Sequence, residues 1–533
     1  MAFVESKWAA PDQLPIRRRE RRFSAKRVAA GLAVTGLAAW YFLGLGPLLP
    51  RSQNTLESCL SSVCADCVRF EDDGVSAWIR PFNLDRTVAP AAVVRPRNAR
   101  EIAGVVKCAA RFDVKVQAAS GMHSFANHGW CLEDVGVLPE LLLTGFAGLG
   151  GDDGAISVDM HHFQHVDVDA ADSSFNVHVG GGARLSQVHH KLLSHGRAIP
   201  QGVCGDIGMG GHATVGGIGP TSRLWGTTLD HVQEVEVVTA NGTLVRASED
   251  TNSDLFFALR GAGAGFGIVT EFVMRTHPAP KEVHHYSYNY HFSTFAEMAD
   301  AFRAWQKLVT DPDLDNRLGT EFTLTPLGAR LLATWYGTEK EIEDSGILDR
   351  LPAGKDGLAV SSETWESSSA KLTVEESRHI QTTPDRFLVK SLGFTLGDKL
   401  SNDDIEELFS WIQSQDQGAS FWSIKFTAAG GAVADVPTAA TAYAHRDKVM
   451  FYQSYTAGCN KAARDLMEGF HRKVLNMVPG EKPSNYPGFA DPELRDPQEA
   501  YWGSNLAALE EVKLTWDPKD IFHNPQSVRP IKA

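Results

Sequence analysis

The pattern of apolar and polar positions separates a short amino-terminal segment from a long region of mixed helices and strands. Basic residues cluster between Arg17 and Arg27, and an apolar run without any ionisable group except Tyr41 follows from Val28 to Pro50. A bilayer core requires about 20 apolar residues, and basic residues before such a run stay in the cytosol. We therefore predict a cytosolic tail at 1–27, a single transmembrane helix at 28–50, and a luminal or extracellular remainder.

The alternative interpretation of this segment is a cleaved signal peptide. The apolar core of a signal peptide is normally about 7–15 residues long, which is shorter than the run seen here. Cleavage would leave the protein secreted instead of anchored to a membrane. Residues 51–72 are interpreted as a linker under either reading.

Beyond the linker, short strands alternate with amphipathic helices. Val93 and Val94 indicate a strand, Asn98 is a candidate helix cap, and helical spacing of apolar residues follows at Ile102, Val105, Val106 and Ala109. A strand at Asn176–Val179 and a helix at Leu185–Leu193 are also predicted. The intervening Gly148–Ser174 segment resembles a local insertion.

The pattern changes at about Pro278. His284–Phe292 is rich in aromatic residues, Phe322–Trp335 mostly alternates, and Val449–Tyr455 is a further aromatic strand candidate. Alternation with a period of two is typical of half-buried strands. The second half of the chain is therefore predicted to be an antiparallel sheet with helices between its strands, which makes the fold class α+β.

Length and charge narrow the possible functions. A chain of 533 residues is too long for one compact core. Its formal net charge of −14 argues against a nucleic-acid partner, because phosphate binding requires lysine and arginine concentrated on one face.

Two segments far apart in the chain carry the candidate chemistry. Ser120–Ser124 places His123 in a turn of small residues, and Cys204 opens a glycine-rich run that ends at Gly219. Histidine and thiolate are the usual nucleophiles for attaching an isoalloxazine ring, and glycines let the backbone approach a ring or pyrophosphate closely. We predict FAD bound covalently through His123 and Cys204. Each residue alone would also fit a structural role, as a buried histidine or as an inert or disulfide-bonded cysteine.

Other cofactor sites are disfavoured. The glycines of Gly261–Gly267 lack the GxGxxG spacing and follow a helix-like segment, which argues against NAD. His161, His162 and His165 lie on a polar stretch that is typical of a solvated surface, and Cys64–Cys67 lacks a second ligand pair. No metal site is expected.

The two flavin motifs resemble those of the FAD-linked oxidases of the berberine-bridge-enzyme type, within the vanillyl-alcohol-oxidase and p-cresol-methylhydroxylase fold. In that family the turn reads Ser-Gly-Gly-His-Ser, so Met122 is a departure. Asn252–Thr270 and Val512–Val528 resemble the family's later motifs. The resemblance implies a two-lobed FAD-binding domain (73–277), an antiparallel-sheet substrate domain with flanking helices (278–480), and a carboxy-terminal segment that returns to the FAD domain (481–533).

The resemblance also implies individual site residues. The predicted cofactor-binding residues are Ser120, Gly121, His123, Ser124, Cys204, Gly208, Gly210, Gly211, His212, Gly216, Gly217, Gly219, Gly267, Ile268, Val269 and Asn505. The predicted substrate-binding residues are Tyr443, Arg446 and Gln453.

The implied reaction is oxidation of an alcohol or hemiacetal hydroxyl by hydride transfer to flavin N5. Tyr486 matches the tyrosine base of the carbohydrate oxidases, but Thr427 stands where their assisting aspartate lies. Thr441–Tyr455 looks most like the glucooligosaccharide oxidase branch, and the electron acceptor is expected to be O2. The alternatives are an oxidoreductase or dehydrogenase acting on a small natural-product alcohol, and a non-catalytic flavoprotein on the same fold.

Two covalent modifications are also expected. By resemblance, a disulfide would join Cys59 to Cys131. Asn241-Gly242-Thr243 is a glycosylation sequon, although Asn-Gly between valine-rich runs also indicates a hairpin turn.

Overall fold

The computed structural model describes residues 55–70, 78, 83–84, 89–125, 153–169, 175–290, 295–352, 357–378, 385–415, 421–458, 460–478 and 484–531. The predicted basic tail and membrane anchor lie outside these residues. Within the described ranges, no helix has both the length and the apolar character needed to cross a bilayer.

The first layer is a four-stranded sheet packed against two helices. Its order is β1-β2-β4-β3, with β2, β4 and β3 parallel and β1 antiparallel to β2. The strands are β1 (Val68–Arg69), β2 (Ala92–Val94), β3 (Val116–Ala119) and β4 (Ile156–Asp159), and the helices are α1 (Leu56–Val63) and α2 (Ala99–Phe112).

The helix predicted after Val94 is confirmed as α2. The Asn98 side chain accepts a hydrogen bond from the Glu101 N–H, as expected of an amino-terminal cap. Ile102, Val105 and Val106 are fully buried, so the predicted apolar face packs against the sheet.

The interpretation of Gly148–Ser174 as an insertion is wrong. Strand β4 lies in the middle of the first sheet and pairs with both β2 and β3. Val166–Val168 forms β5 at the edge of a second sheet. These strands are only three or four residues long and are flanked by histidines and aspartates. Their apolar pattern is therefore too short to be recognised in the sequence.

The second layer is a five-stranded antiparallel sheet of order β5-β6-β10-β8-β9. Its other strands are β6 (Val177–Gly180), β8 (Val232–Val238), β9 (Leu244–Ser248) and β10 (Ile268–Met274), and β7 (Arg197–Ala198) pairs with β11 (His277–Pro278) beside it. Its helices are α3 (Leu185–Leu193), α4 (Met209–Val215), α5 (Ser222–Trp225) and α6 (Ser253–Ala262). The sequon Asn241-Gly242 forms the turn between β8 and β9, where Gly242 has a φ of 71°.

The third layer confirms the predicted antiparallel sheet. Seven strands pair in the order β15-β12-β14-β13-β17-β18-β16. They are β12 (Val283–Tyr290), β13 (Leu318–Thr325), β14 (Gly328–Trp335), β15 (Ala359–Glu363), β16 (Phe387–Thr395), β17 (Trp422–Ala428) and β18 (Lys448–Ala457). The flanking helices are α7 (Ala296–Val309), α8 (Glu339–Ser345), α9 (Trp365–Ser377), α10 (Asn402–Ser414) and α11 (Lys461–Met477).

The carboxy-terminal segment contacts both amino-terminal layers. Its helices are α12 (Pro497–Trp502) and α13 (Leu506–Trp516). Trp502 and Leu509 join the apolar core of the second layer. The Val116 N–H donates to the Ile521 carbonyl at 2.8 Å, which attaches the segment to the first sheet.

The disulfide prediction is wrong in its pairing. Cys59 of α1 bonds Cys108 of α2, with the two Cα atoms 5.9 Å apart, whereas Cys131 lies outside the described residues. Cys108 occupies the apolar face of α2, which packs against α1, so helix packing brings the two sulfurs together. A second bond joins Cys64 to Cys67. Their sulfurs lie near Glu101 in an arrangement that would suit a metal only if both thiols were free.

Removing the disulfide that closes the longer loop, Cys59–Cys108, should destabilise the protein measurably. We expect the double replacement of Cys59 and Cys108 by serine to lower the free energy of unfolding by about 2–4 kcal/mol, because the bond restricts the unfolded chain. The matched control replaces Cys64 and Cys67, whose sequence separation is 3 instead of 49. Denaturant midpoints that fall equally in the two double variants would contradict this expectation.

Candidate active site

The two flavin motifs meet through their glycines. A Cβ atom on Gly121 would lie 2.1 Å from the Gly208 nitrogen, and a Cβ on Gly208 would lie 2.1 Å from the Gly121 nitrogen. Any side chain at either position would therefore force the two backbones apart. Arg184 bridges the same two segments, because its Nη1 donates to the carbonyls of Gly121 and Asp206 at 2.6 Å each.

Gly121 and Gly208 both line a cavity of about 500 Å³ that reaches from the glycine segments to the seven-stranded sheet. His123, Cys204 and Tyr486 all line it. The other predicted residues on its wall are Ser120, Gly121, Ser124, Gly208, Gly210, Gly211, His212, Gly219, Gly267 and Val269.

The remaining predicted cofactor residues lie behind this wall. A Cβ on Gly216 would meet the rings of Tyr486 and Tyr443. Ile268 packs in the core of the first layer. Asn505 donates to the carbonyls of Thr438 and Thr441 at 2.9 and 3.0 Å, so its amide ties α13 to the loop before β18.

The predicted substrate residues are also buried behind the cavity wall. Arg446 forms an ion pair with Asp230, and the exposed fraction of each of these side chains is 3%. The Arg446 guanidinium also lies 4.8 Å from the centre of the Tyr443 ring. Gln453 is buried on β18. These contacts give Arg446 a clear structural role, and its role in substrate binding stays a prediction.

Burial keeps the imidazole of His123 neutral. Its pKa is lowered to about 4 by burial, and the positive charge of Arg184 acts in the same direction. Burial likewise lowers the pKa of His212 to about 4, and its Nε2 accepts a hydrogen bond from the Gly202 N–H at 3.0 Å. At neutral pH one of the two nitrogens of the His123 ring is therefore unprotonated.

Cys204 is the free cysteine of the described residues. Burial and the nearby Glu376 carboxylate raise the pKa of its thiol to about 12, whereas Lys425 acts in the opposite direction. The neighbouring Val203 carbonyl accepts a hydrogen bond from the Thr373 hydroxyl of α9 at 2.9 Å. Helix α9 therefore holds this loop against the third layer.

Tyr486 is placed by backbone contacts and aromatic packing. Its phenolic oxygen accepts a hydrogen bond from the Gly217 N–H at 2.9 Å, and its ring packs against Phe451, Phe489 and Tyr443. Burial raises the pKa of the phenol to about 12, although the N–H groups of Gly217 and Ile218 lower it. These N–H groups would stabilise the phenolate.

The sequence analysis did not predict the cluster of charged side chains where the cavity meets the seven-stranded sheet. Glu321, Glu376 and Lys425 all line it, and Lys425 Nζ contacts the two Glu376 carboxylate oxygens at 2.6 and 2.8 Å. Alternation along β17 could have placed Lys425 and Thr427 on one face. The positions of Glu321 and Glu376 depend on strand register and helix packing, which the sequence does not reveal.

Met122 occupies a backbone conformation that favours glycine. Its φ is 58°, and a side chain there costs roughly 1–2 kcal/mol. We expect Met122→Gly to raise the free energy of unfolding by up to about 1 kcal/mol, measured by denaturant titration. Met122→Ala is the control, because alanine keeps the Cβ atom; an equal gain in both variants would show that backbone strain is not the cause.

A glycine-lined cavity beneath an antiparallel sheet, with a neutral histidine, a free thiol and a tyrosine on its wall, is the arrangement of a flavin-dependent oxidoreductase. The family described as "FAD binding domain" matches residues 142–248, and the family described as "Berberine and berberine like" matches residues 485–529.

Individual relatives agree with this class. The chain is 32% identical to the FAD-linked oxidoreductase sorD of Penicillium rubens, over 86% of this chain and 93% of the relative. It is 30% identical to the carbohydrate oxidase of Microdochium nivale, over 90% and 96%. The solved glucooligosaccharide oxidase of Acremonium strictum superposes with a TM-score of 0.77 at 27% identity, covering 90% of this chain and 100% of that structure. The protein therefore belongs to the berberine-bridge-enzyme-like and carbohydrate oxidase family, and it is an FAD-dependent oxidoreductase.

Proposed function

We propose that the protein holds FAD through two covalent bonds, at His123 and Cys204, and oxidises a hydroxyl-bearing carbon of its substrate. FAD supplies the hydride acceptor, and O2 is the proposed final acceptor. The observation that supports the proposal is the direct contact of the two glycine-containing segments, together with the presence of both His123 and Cys204 in the lining of one cavity.

The residues present fit such a cofactor. Glycine backbones line the cavity where side chains would block a flat ring, the His123 imidazole is neutral, and Cys204 is not in a disulfide. One similar structure is that of a glucooligosaccharide oxidase with a 6-S-cysteinyl, 8α-N1-histidyl FAD. We infer the same pair of bonds here.

The chain must also remove the proton of the substrate hydroxyl. Tyr486 is the proposed base, because it lines the cavity and its oxygen is fixed by the Gly217 N–H. A phenol with a raised pKa is mostly protonated at neutral pH. A base of this kind therefore either reacts through its small deprotonated fraction or requires an assisting group.

The proposed substrate is an oligosaccharide oxidised at its reducing end. Similar proteins include glucooligosaccharide, chitooligosaccharide and xylooligosaccharide oxidases. A small alcohol is the second candidate. It is favoured by Thr427, which stands where the resembled sugar oxidases carry their acid.

The test is anaerobic mixing of the flavin-loaded protein with xylobiose, cellobiose, chitobiose and a panel of small alcohols. Bleaching by a sugar, followed by recovery of the absorbance and peroxide formation in air, would support the first candidate. Bleaching by alcohols alone would support the second. If no compound bleaches the flavin, the oxidase proposal fails and a non-catalytic flavoprotein is favoured.

We propose that the protein acts in an oxidising compartment, either anchored through residues 28–50 or secreted after cleavage. The Cys59–Cys108 bond supports this location, because disulfides are rare in reducing compartments. Amino-terminal sequencing of the purified native protein would distinguish the two forms, because cleavage would remove the apolar run.

A further inference from the structure

A buried lysine lies on the cavity wall at the seven-stranded sheet. Ile424 and Phe426 of β17 belong to the apolar core of that sheet. Lys425 and Thr427, which alternate with them, line the cavity, because successive side chains of a strand point to opposite faces. The exposed fraction of the Lys425 side chain is 11%. A buried ammonium group is costly even when it is paired, so its position beside the cavity points to a role there.

Helix α9 connects Lys425 to the loop that carries Cys204. The Glu376 carboxylate of α9 accepts hydrogen bonds from Lys425 Nζ at 2.6 and 2.8 Å. The Thr373 hydroxyl of the same helix donates to the Val203 carbonyl at 2.9 Å. Residues three apart lie on one face of a helix. The same face of α9 therefore holds both the lysine and the residue before the cysteine.

The ammonium group and the sulfur act on each other electrostatically. Burial lowers the pKa of Lys425, but the carboxylates of Glu376 and Glu321 raise it further, so the ammonium group stays charged. Burial and Glu376 raise the pKa of the Cys204 thiol, Lys425 lowers it, and Asp206 of the same loop raises it. A thiolate at Cys204 in turn raises the pKa of Lys425.

The positive charge matters because Cys204 must ionise before it can react. The thiolate is the nucleophile of a cysteine. With a thiol pKa of about 12, only about one thiol in 10⁵ is ionised at pH 7. Each unit by which a neighbouring cation lowers this pKa increases the ionised fraction about tenfold. The neutral imidazole of His123 does not depend on such an ionisation.

We propose that Lys425 promotes attachment of the flavin at Cys204 by stabilising the thiolate, and that Glu376 limits this effect. The inference rests on the proposed function. The Cys204 thiol releases its proton to water, and the Lys425 ammonium group keeps its own protons. In the attachment itself a carbon–sulfur bond forms and the displaced ring hydrogen leaves as a proton. The two electrons left on the ring pass to O2, which becomes hydrogen peroxide.

The experiment measures the free Cys204 thiol and does not depend on turnover. Full-length protein is purified without flavin, mixed with FAD in air, and sampled over time. Each sample is denatured and treated with iodoacetamide, and mass spectrometry of the peptide that contains Cys204 gives its alkylated and flavin-bearing fractions. Protein isolated with its flavin is analysed in the same way.

Lys425→Met removes the charge and keeps an unbranched side chain. Attachment at Cys204 should become slower by about tenfold or more, and its rise with pH should move upward by about one pH unit or more. Lys425→Arg keeps the charge and should restore most of the rate. Lys390→Met is the matched control, because Lys390 is a buried lysine of β16 that pairs with Asp491.

Glu376→Gln distinguishes an effect of charge from an effect of structure. It breaks the same ion pair but removes a carboxylate that raises the pKa of Cys204, so attachment should be at least as fast as in the wild type. Lys425→Met combined with Glu376→Gln leaves neither charge of the pair and should again be slow, which tests the proposal even if Lys425→Met does not fold. Equal slowing in Glu376→Gln and the double variant would overturn the proposal. A rate in the double variant within about threefold of the wild type would also overturn it.

Failure of the proposed function would give a different result. Complete alkylation of Cys204 in the wild type, at every time and in the isolated protein, would show that no sulfur bond forms, and the inference would fall with it. If Cys204 is protected in the wild type and becomes protected equally fast in Lys425→Met, the bond exists and only the role of Lys425 is overturned.

Discussion

Tyr486→Phe is expected to slow flavin reduction by the substrate about 10²–10⁴-fold, which is the usual contribution of a positioned acid–base group. The variant removes only the phenolic oxygen that accepts the Gly217 N–H. The aromatic packing with Phe451 and Phe489 remains, so the cavity should keep its shape. Anaerobic stopped-flow bleaching measures the step directly and excludes the later reaction with O2.

The pH dependence provides an independent check on Tyr486. Burial raises the pKa of its phenol to about 12, so the deprotonated fraction grows throughout the neutral and alkaline range. A rate limited by this base should rise with pH over that range, and Tyr486→Phe should flatten the rise. Tyr452→Phe is the matched control, since Tyr452 is buried on β18 and its hydroxyl donates to Ser454. An equal loss of rate in both variants would remove Tyr486 from the proposed chemistry.

The parts of the fold that could be predicted depend on short-range pattern. Helix α2 was predictable because its cap at Asn98 and its apolar face are encoded within a few consecutive residues. The long alternating strands of the third layer were predictable for the same reason. Strand β4 was missed because its four residues only become a strand by pairing with β2 and β3, which are distant in sequence.

The residues of the candidate site divide in the same way, into those that short sequence patterns predict and those that depend on contacts between distant segments. His123 and Cys204 were found from local glycine patterns, but their placement on one cavity depends on the contact of Gly121 with Gly208. Cys59 was assigned to the wrong partner because that pairing was taken from the family resemblance, whereas the observed bond to Cys108 follows from the packing of α1 against α2. Glu321 was missed because its position opposite Thr427 is a matter of strand register, and register is set by the whole sheet.

If both His123 and Cys204 bind the flavin, the protein should lose it only when both residues are replaced. After acid precipitation, wild-type protein should keep its flavin in the pellet, and His123→Ala and Cys204→Ala should each keep it through the remaining bond. The double variant should release all of its flavin to the supernatant, where fluorescence measures it. His212→Ala is the control, because His212 is another buried neutral histidine on the same wall.

The two bonds should also differ in how fast they form. The His123 imidazole is neutral at pH 7, because its pKa is lowered to about 4, whereas the Cys204 thiol is held protonated by a pKa raised to about 12. Since the thiolate is the nucleophile, attachment at Cys204 should be the slower event when apoprotein is mixed with FAD, and it should accelerate as the pH rises. Comparing flavin retention over time in the two single variants measures each bond by itself. Retention in the double variant, or complete release from either single variant, would show that the flavin is attached elsewhere or through one residue alone.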